Sequence, residues 1–251
     1  MKLPPLTRAR LIRRRNRFVA EAEFPDGSLG TAYCPNTGRM LGCSQPGSTI
    51  FLSRQESPKR KHPFTWELTR TETSLVGVNT ARTNAIVREG LESLNTGKWG
   101  EYANSKPEVK VSPHSRLDFR LDRFDSGPPC YMEVKNCTLV RDGVASFPDA
   151  VTQRGSKHLQ ELICLVESGY FAAVFFLVQR SDAKHFVPAG DIDPEYASWL
   201  ALARSRGVDA VCYDVLIQGR HIRMNRELPV YPDHGFVPGK TGKEKQPPRG
   251  N

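Results

Sequence analysis

Short apolar runs separated by turn residues fill the first third of the chain. Leu11-Ile12 and Phe18-Val19-Ala20 flank the basic run Arg13-Arg14-Arg15-Asn16-Arg17, and Pro25-Asp26-Gly27 and Pro35-Asn36-Thr37-Gly38 are turn signals. Residues 29–33, 49–52 and 74–78 read as strands. So do residues 64–69, where Phe64, Trp66 and Leu68 alternate with polar neighbours. Five or six such strands before residue 80 predict a small barrel. An oligonucleotide-binding (OB) type fits, and an SH3-like barrel is nearly as compatible.

The pattern changes at Asn79-Thr80. Thr80 is a candidate cap for a helix reaching about Leu94, with Val87, Leu91 and Leu94 at helical spacing. Residues 116–121 alternate as a strand, and residues 130–137 form the next, with 138–140 as a companion. Residues 157–168 carry the helical stripe Leu159, Leu162, Ile163 and Val166. Residues 171–178 are continuously apolar, the pattern of a central strand buried on both faces. A helix over 194–206 and a strand over 211–216 follow. The order predicts an α/β domain over residues 81–233, after a barrel over 1–80 and before a disordered basic tail over 234–251.

Charge separates the same two halves. The 251 residues hold 36 Lys and Arg against 27 Asp and Glu, a net +9. Residues 1–80 carry +7 of it, residues 81–239 carry −1, and the tail carries +3. A basic module beside a balanced one predicts phosphate contacts in the first. The apolar share of 38% supplies a real core and excludes wholesale disorder. No apolar run has the length of a signal peptide or a membrane span, so a cytoplasmic protein is expected. The six cysteines, Cys34, Cys43, Cys130, Cys137, Cys164 and Cys212, form no CxxC pair and read as reduced thiols, with Cys164 in the core.

The sharpest chemistry is Asp118, followed fifteen residues later by Glu133-Val134-Lys135. Glu133 and Lys135 share one side of their strand. If the two strands are hairpin neighbours, Asp118 sits beside Glu133, and the two carboxylates suit Mg²⁺ or Mn²⁺ completed by waters. Lys135 then orients water or offsets phosphate charge. The plain alternative is a solvated strand face with a surface Glu133–Lys135 pair worth about 0 to 1 kcal/mol.

Asp118 with Glu133-Val134-Lys135 resembles the signature of the PD-(D/E)XK nuclease-like superfamily. A closer resemblance is to the sugar fermentation stimulation protein family. It rests on Pro35-Asn36-Thr37-Gly38-Arg39-Met40, Lys59-Arg60-Lys61 with Thr65-Trp66-Glu67-Leu68, Val78-Asn79-Thr80 and Ser115-Arg116-Leu117-Asp118-Phe119. Further along come Glu133-Val134-Lys135-Asn136, Phe147-Pro148-Asp149-Ala150, Arg154-Gly155, Lys157-His158-Leu159 and Val178-Gln179-Arg180. The resemblance spans about residues 8–230. It implies an N-terminal OB-like barrel, a C-terminal nuclease-like domain and DNA binding with little sequence preference. It also implies a regulatory link to sugar metabolism, including maltose use. The family's nuclease role is inferred from its fold, so binding ranks above cleavage, with an active Mg²⁺- or Mn²⁺-dependent DNA or RNA phosphodiesterase as the alternative.

Around the acidic residues, Arg154, Lys157, His158 and Glu161 share a helix face. The nuclease-like resemblance implies that such a helix meets the scissile phosphate, which makes Lys157 and His158 candidates; the plain alternative is a solvated face. The superfamily resemblance implies a third carboxylate from the first helix, with Glu89 the candidate and Glu92 its rival, while Glu108 is either a helper or plain surface. In the barrel, Arg13, Arg15 and Arg17 alternate to one face and Arg14 to the other. Together with Arg39, Lys59, Arg60 and Lys61 they are the expected track for a DNA backbone, with Tyr33, Phe64 or Trp66 available for stacking. No helix-turn-helix or zinc-finger pattern occurs, which argues against reading base edges.

Overall fold

The computed structural model of the chain describes residues 1–54, 61–93, 97–112 and 115–232. The barrel consists of β1 (Leu6–Arg15), β2 (Val19–Glu23), β3 (Leu29–Tyr33), β4 (Thr49–Arg54) and β5 (Phe64–Arg70), with β6 (Leu75–Gly77) added to β5. Antiparallel pairing runs β3-β2-β1-β4-β5, and a parallel β3–β5 contact through Ala32–Phe64 and Tyr33–Thr65 closes the ring. This is the OB arrangement of five strands, and closure removes the exposed edges an open sheet would carry. Leu11, Ala20, Ala32, Ile50, Leu52 and Trp66 fill its core.

Two readings of this region change. The basic run continues β1 to Arg15, with Arg13 and Arg15 on one face pairing with Glu21 of β2, but Arg17 leaves that face because it lies in the turn. The turn spans the three residues Asn16, Arg17 and Phe18 between the paired Arg15 and Val19, with Asn16 and Arg17 at positive φ (50° and 59°). Trp66 is fully buried and donates its indole N–H to the Leu68 carbonyl at 3.1 Å, so it stacks on no base.

The second domain opens with a 3-10 turn, Thr80–Arg82, capped by Asn79 rather than Thr80, since the Asn79 side chain accepts from the Ala81 N–H. Then follow α1 (Thr83–Ser93), β7 (Tyr102–Ser112), β8 (Ser115–Arg123), β9 (Cys130–Cys137), β10 (Leu139–Arg141), β11 (Val144–Phe147) and α2 (Gln153–Glu167). The chain continues through β12 (Phe171–Val178), β13 (His185–Pro188), α3 (Pro194–Ser205), β14 (Asp209–Gln218) and β15 (His221–Glu227). The main sheet has the order β15-β14-β12-β9-β8-β7, with β9, β12 and β14 parallel. β12 lies inside it: Val174, Phe176 and Val178 pack against α2 and α3, while Ala173, Phe175 and Leu177 face the core shared with α1. β7, β11, β13 and β15 were not expected from the sequence. β7 contains Pro107, which an edge strand tolerates because one side of its backbone has no ladder to complete.

Five of the six cysteines are buried, but Cys164 is exposed, because its position on α2 turns away from the Leu159, Leu162 and Ile163 stripe. The first residues of the chain pack on the second domain: Leu3 donates to the Arg220 carbonyl at 2.7 Å and joins the α1-side core. The two domains are also bonded through polar groups. Met40 N–H donates to Asp149 Oδ2 at 2.7 Å, Thr80 Oγ1 to the Pro35 carbonyl at 2.9 Å, and Gly77 N–H to the Gln179 carbonyl at 2.8 Å. The predicted tail over 234–251 lies outside the described residues.

Candidate metal and phosphate site

β8 and β9 run antiparallel with Phe119 opposite Met132, which brings Asp118 to the start of the Glu133-Val134-Lys135 segment. There the carboxylate takes the place of a ladder carbonyl: Asp118 Oδ2 accepts the Val134 N–H at 2.8 Å. Asn84 on α1 donates its side-chain amide to Asp118 Oδ1 at 2.7 Å. Met132 and Val134 face the α1-side core, so alternation turns Glu133 and Lys135 to the opposite side.

On that side stands α2. Its N-terminus is capped by Thr152, whose hydroxyl accepts from the Gly155 N–H, and the first two turns aim His158 inward. His158 Nδ1 bonds Glu133 Oε1, and the same oxygen accepts from Lys135 Nζ at 2.7 Å. Arg154 Nε reaches His158 Nε2 at 3.4 Å. Lys135 Nζ also lies 3.2 Å from His158 Nδ1, so Glu133, Lys135 and His158 form one contiguous cluster. Glu133, Lys135 and His158 are all buried, yet the charges satisfy one another.

The electrostatics separate the two carboxylates. Burial pushes the Asp118 carboxyl above its usual range, and the neighbouring Glu133 charge adds to that; the bonds from Val134 and Asn84 only partly offset it. Burial acts on Glu133 in the same sense, but His158 and Lys135 outweigh it and hold this carboxyl below its usual range. The pair therefore consists of a firmly ionised Glu133 and an Asp118 that a cation would relieve. Among the described residues no group of three His, Cys, Asp or Glu could hold a metal. The protein can supply two carboxylates, leaving water and phosphate oxygens to complete the shell. Such an all-oxygen donor set fits a hard divalent ion such as Mg²⁺.

A cleft of about 820 Å³ opens over Asp118 and Glu133, with Lys110, Arg116, Arg154 and Lys157 on its walls. Lys157 is exposed and faces this space, whereas His158 is buried beneath it and grips Glu133, so it holds a carboxylate in place of a phosphate. Glu161 accepts from Ser115 Oγ, tying α2 to β8. Glu89 does not join the acidic pair: it bonds the Met1 amine at 2.7 Å and, with Glu92, lines a separate pocket. The α1 residue that reaches Asp118 is Asn84. Glu108 lies at the cleft edge, exposed and 3.4 Å from Arg116.

The barrel arginines are largely committed to internal contacts. Arg13 and Arg15 both pair with Glu21, at 2.6 and 3.2 Å, and Arg10 pairs with Glu23. Arg14 is spent on backbone carbonyls of the 36–39 loop. Arg17, Arg39 and Lys61 are exposed, and Lys59 and Arg60 lie outside the described residues. Sequence reasoning missed Asn84, Lys110 and Arg116. The only signal for Asn84 was its place beside Thr83 and Val87 on the buried face of α1.

Comparison with known proteins agrees with this architecture. Residues 12–78 match the SfsA N-terminal OB domain, and residues 81–221 match the sugar fermentation stimulation protein RE domain. The sugar fermentation stimulation protein homolog of Pelobacter propionicus is 45% identical over 232 residues, covering 92% of this chain and 99% of its own. That of Geobacter sulfurreducens is likewise 45% identical, with 92% and 98% covered. The solved structure of Pyrococcus furiosus SfsA in complex with Ca²⁺ superposes with a TM-score of 0.84 at 24% identity, covering 92% of this chain and 98% of that one. No described helix is long and apolar enough to cross a membrane. With both domains matched in order and close relatives aligned over nearly their whole length, this chain belongs to the sugar fermentation stimulation protein family.

Proposed function

We propose that this protein binds DNA through its sugar-phosphate backbone, with little sequence preference, and seats one phosphodiester over a divalent cation held by Asp118 and Glu133. The observation that carries this reading is the pairing of a two-carboxylate, oxygen-only site with a cleft walled by Lys110, Arg116, Arg154 and Lys157. Cations along a wall track phosphates, which carry register and no sequence information. Mg²⁺ or Mn²⁺ bound there would neutralise a phosphate oxygen and polarise a water. That the Pyrococcus furiosus relative was solved with Ca²⁺, another ion that takes oxygen ligands, is in keeping with this.

Phosphodiester hydrolysis is the second reading, and Lys135 favours it. Its ammonium is buried beside Glu133, where it can offset charge developing on a phosphate far better than an exposed lysine. Asp118→Asn is expected to abolish Mn²⁺ uptake in calorimetric titration while preserving most DNA affinity. Equal uptake by mutant and wild type would remove the metal site. Plasmid nicking that needs Mg²⁺ or Mn²⁺, stops in EDTA and disappears in Lys135→Ala would establish cleavage. Binding without nicking would leave a DNA-binding protein with a nuclease-like fold.

A further inference from the structure

We infer that the groove between the barrel and the α/β domain seats the nucleotide adjoining the phosphodiester at Asp118 and Glu133, and that the protein therefore takes DNA as a single strand. This rests on the DNA-binding reading above and adds its strandedness and path. The groove encloses about 370 Å³, and its walls include Arg17, Thr37, Thr80, Lys135, Asn136 and Phe147. That volume suits one nucleotide and is too small to hold a double helix.

β9 is the wall common to both spaces. Glu133 borders the cleft, while Val134, Lys135 and Asn136 border the groove. Successive strand residues advance about 3.3 Å, so the two spaces abut within one step of a polynucleotide. A strand with its phosphate at the acidic pair has its neighbouring nucleotide directed at the domain junction.

The groove is also built before any ligand arrives. Arg14 donates to the carbonyls of Asn36 at 2.6 Å, Arg17 at 2.8 Å, Gly38 at 2.9 Å and Arg39 at 3.2 Å. Asn36 Oδ1 accepts the Gly38 N–H at 2.8 Å, and Thr80 fastens the Pro35 carbonyl from the other domain. These bonds satisfy the loop backbone and fix its shape. The Arg17 guanidinium is left with a single long contact, 3.5 Å to the Thr37 carbonyl. One guanidinium for a phosphate, with hydroxyls and an amide for sugar and base edges, forms a single-strand subsite. Preorganisation of this kind lowers the ordering cost of binding.

The test measures binding of a fluorescein-labelled single strand and the blunt duplex of the same sequence to wild type, Arg17→Ala and Thr37→Tyr. Both substitutions are at exposed positions, and circular dichroism checks that each variant is folded. Wild type is expected to prefer the single strand. Each variant should bind it about tenfold more weakly, with duplex binding unchanged. Arg17→Ala should also lower the log-log salt slope for the single strand by about 0.7. A single strand carrying 5-iododeoxyuridine should cross-link to the groove wall within residues 134–138 or 146–152. DNA binding in which the folded variants match wild type, or lose both substrates equally, overturns the groove. Failure of wild type to bind any DNA overturns the DNA-binding reading and the groove together.

Discussion

The side-chain amide of Asn84 donates to Asp118 Oδ1 at 2.7 Å, so the first helix reaches the acidic strand through an amide where a carboxylate was expected. Asn84→Ala removes a bond to a largely buried carboxylate. It should cost about 1.5 to 3 kcal/mol of stability and weaken Mn²⁺ binding, since Asp118 loses one of its two restraints. Asn84→Asp should do the reverse for the metal, because three carboxylates then converge, while the metal-free protein becomes less stable. Calorimetry and thermal melts with and without Mn²⁺ check both; unchanged Mn²⁺ affinity in the Ala and Asp variants would show that Asn84 has no bearing on the metal.

Asp118 has a raised pKa in the folded protein, through burial and then the Glu133 charge, so folding favours its protonated form. That contribution to stability is complete below the unfolded pKa of about 3.9 and is lost as pH rises through the folded value. At pH 7 in EDTA, Asp118→Asn should therefore raise Tm by about 2 to 4 °C, with the gain fading toward pH 4. The Asn84 amide can flip to accept from the new amide, so both bonds survive. Added Mn²⁺ should reverse the order by stabilising wild type alone. A lower Tm for Asp118→Asn at pH 7 in EDTA would contradict the electrostatic account.

The cations on the cleft wall should matter more than those on β1. Arg13 and Arg15 are paired with Glu21, whereas Lys157 faces open cleft. Arg154→Ala with Lys157→Ala should weaken DNA binding about tenfold more than Arg13→Ala with Arg15→Ala. It should also take about 0.7 to 0.9 per lost phosphate contact from the salt slope. The opposite ranking would move the DNA path onto the barrel strand.

Asp182 couples the domains: Arg180 donates to its two oxygens at 2.6 Å each, and Thr73 of the barrel bonds the same carboxylate. Burial pushes this carboxyl up, but Arg180 and Thr73 outweigh it and hold it below its usual range. Its stabilising contribution is present above the unfolded pKa of about 3.9 and is lost as pH falls through the folded value. Asp182→Asn should be less stable than wild type at pH 7 and converge with it as pH falls through the folded value, below about 3.9. A gap that stays constant over that range would exclude titration of Asp182 as its source.

Gly38 approaches the second domain so closely that a Cβ there would lie 2.6 and 2.7 Å from the Asp149 carboxylate oxygens. Gly38→Ala should cost about 1 to 3 kcal/mol by forcing the 36–39 loop away from Asp149. Denaturant unfolding checks it, and an unchanged midpoint would mean that the junction yields freely.

The sequence by itself determined the barrel, the α/β order and the position of the acidic strand. The alternating Ser115–Arg123 strand and the uninterrupted Phe171–Val178 run are visible because period-two alternation and burial on both faces leave local patterns. Strands β7, β13 and β15 left no such trace. β7 and β15 are edge strands whose exposed, mixed residues resemble loop until a neighbour supplies the ladder, whereas β13 is a buried run of only four residues, too short to leave a period. The Asp118, Glu133 and Lys135 triplet was equally visible, being a short motif on two adjacent strands. What only the tertiary structure decided was the role of each side chain around it. Glu89 and Asn84 both sit on α1, but the helix rotation and the docking of Met1 send Glu89 outward and Asn84 to Asp118. His158 became a buried partner of Glu133 because α2 packs directly on β9. The β1 arginines lost their freedom to Glu21 and Glu23 across a hairpin whose register no local pattern records. Side-chain pairing over such distances depends on how elements dock, and docking is settled by burial summed over the whole core.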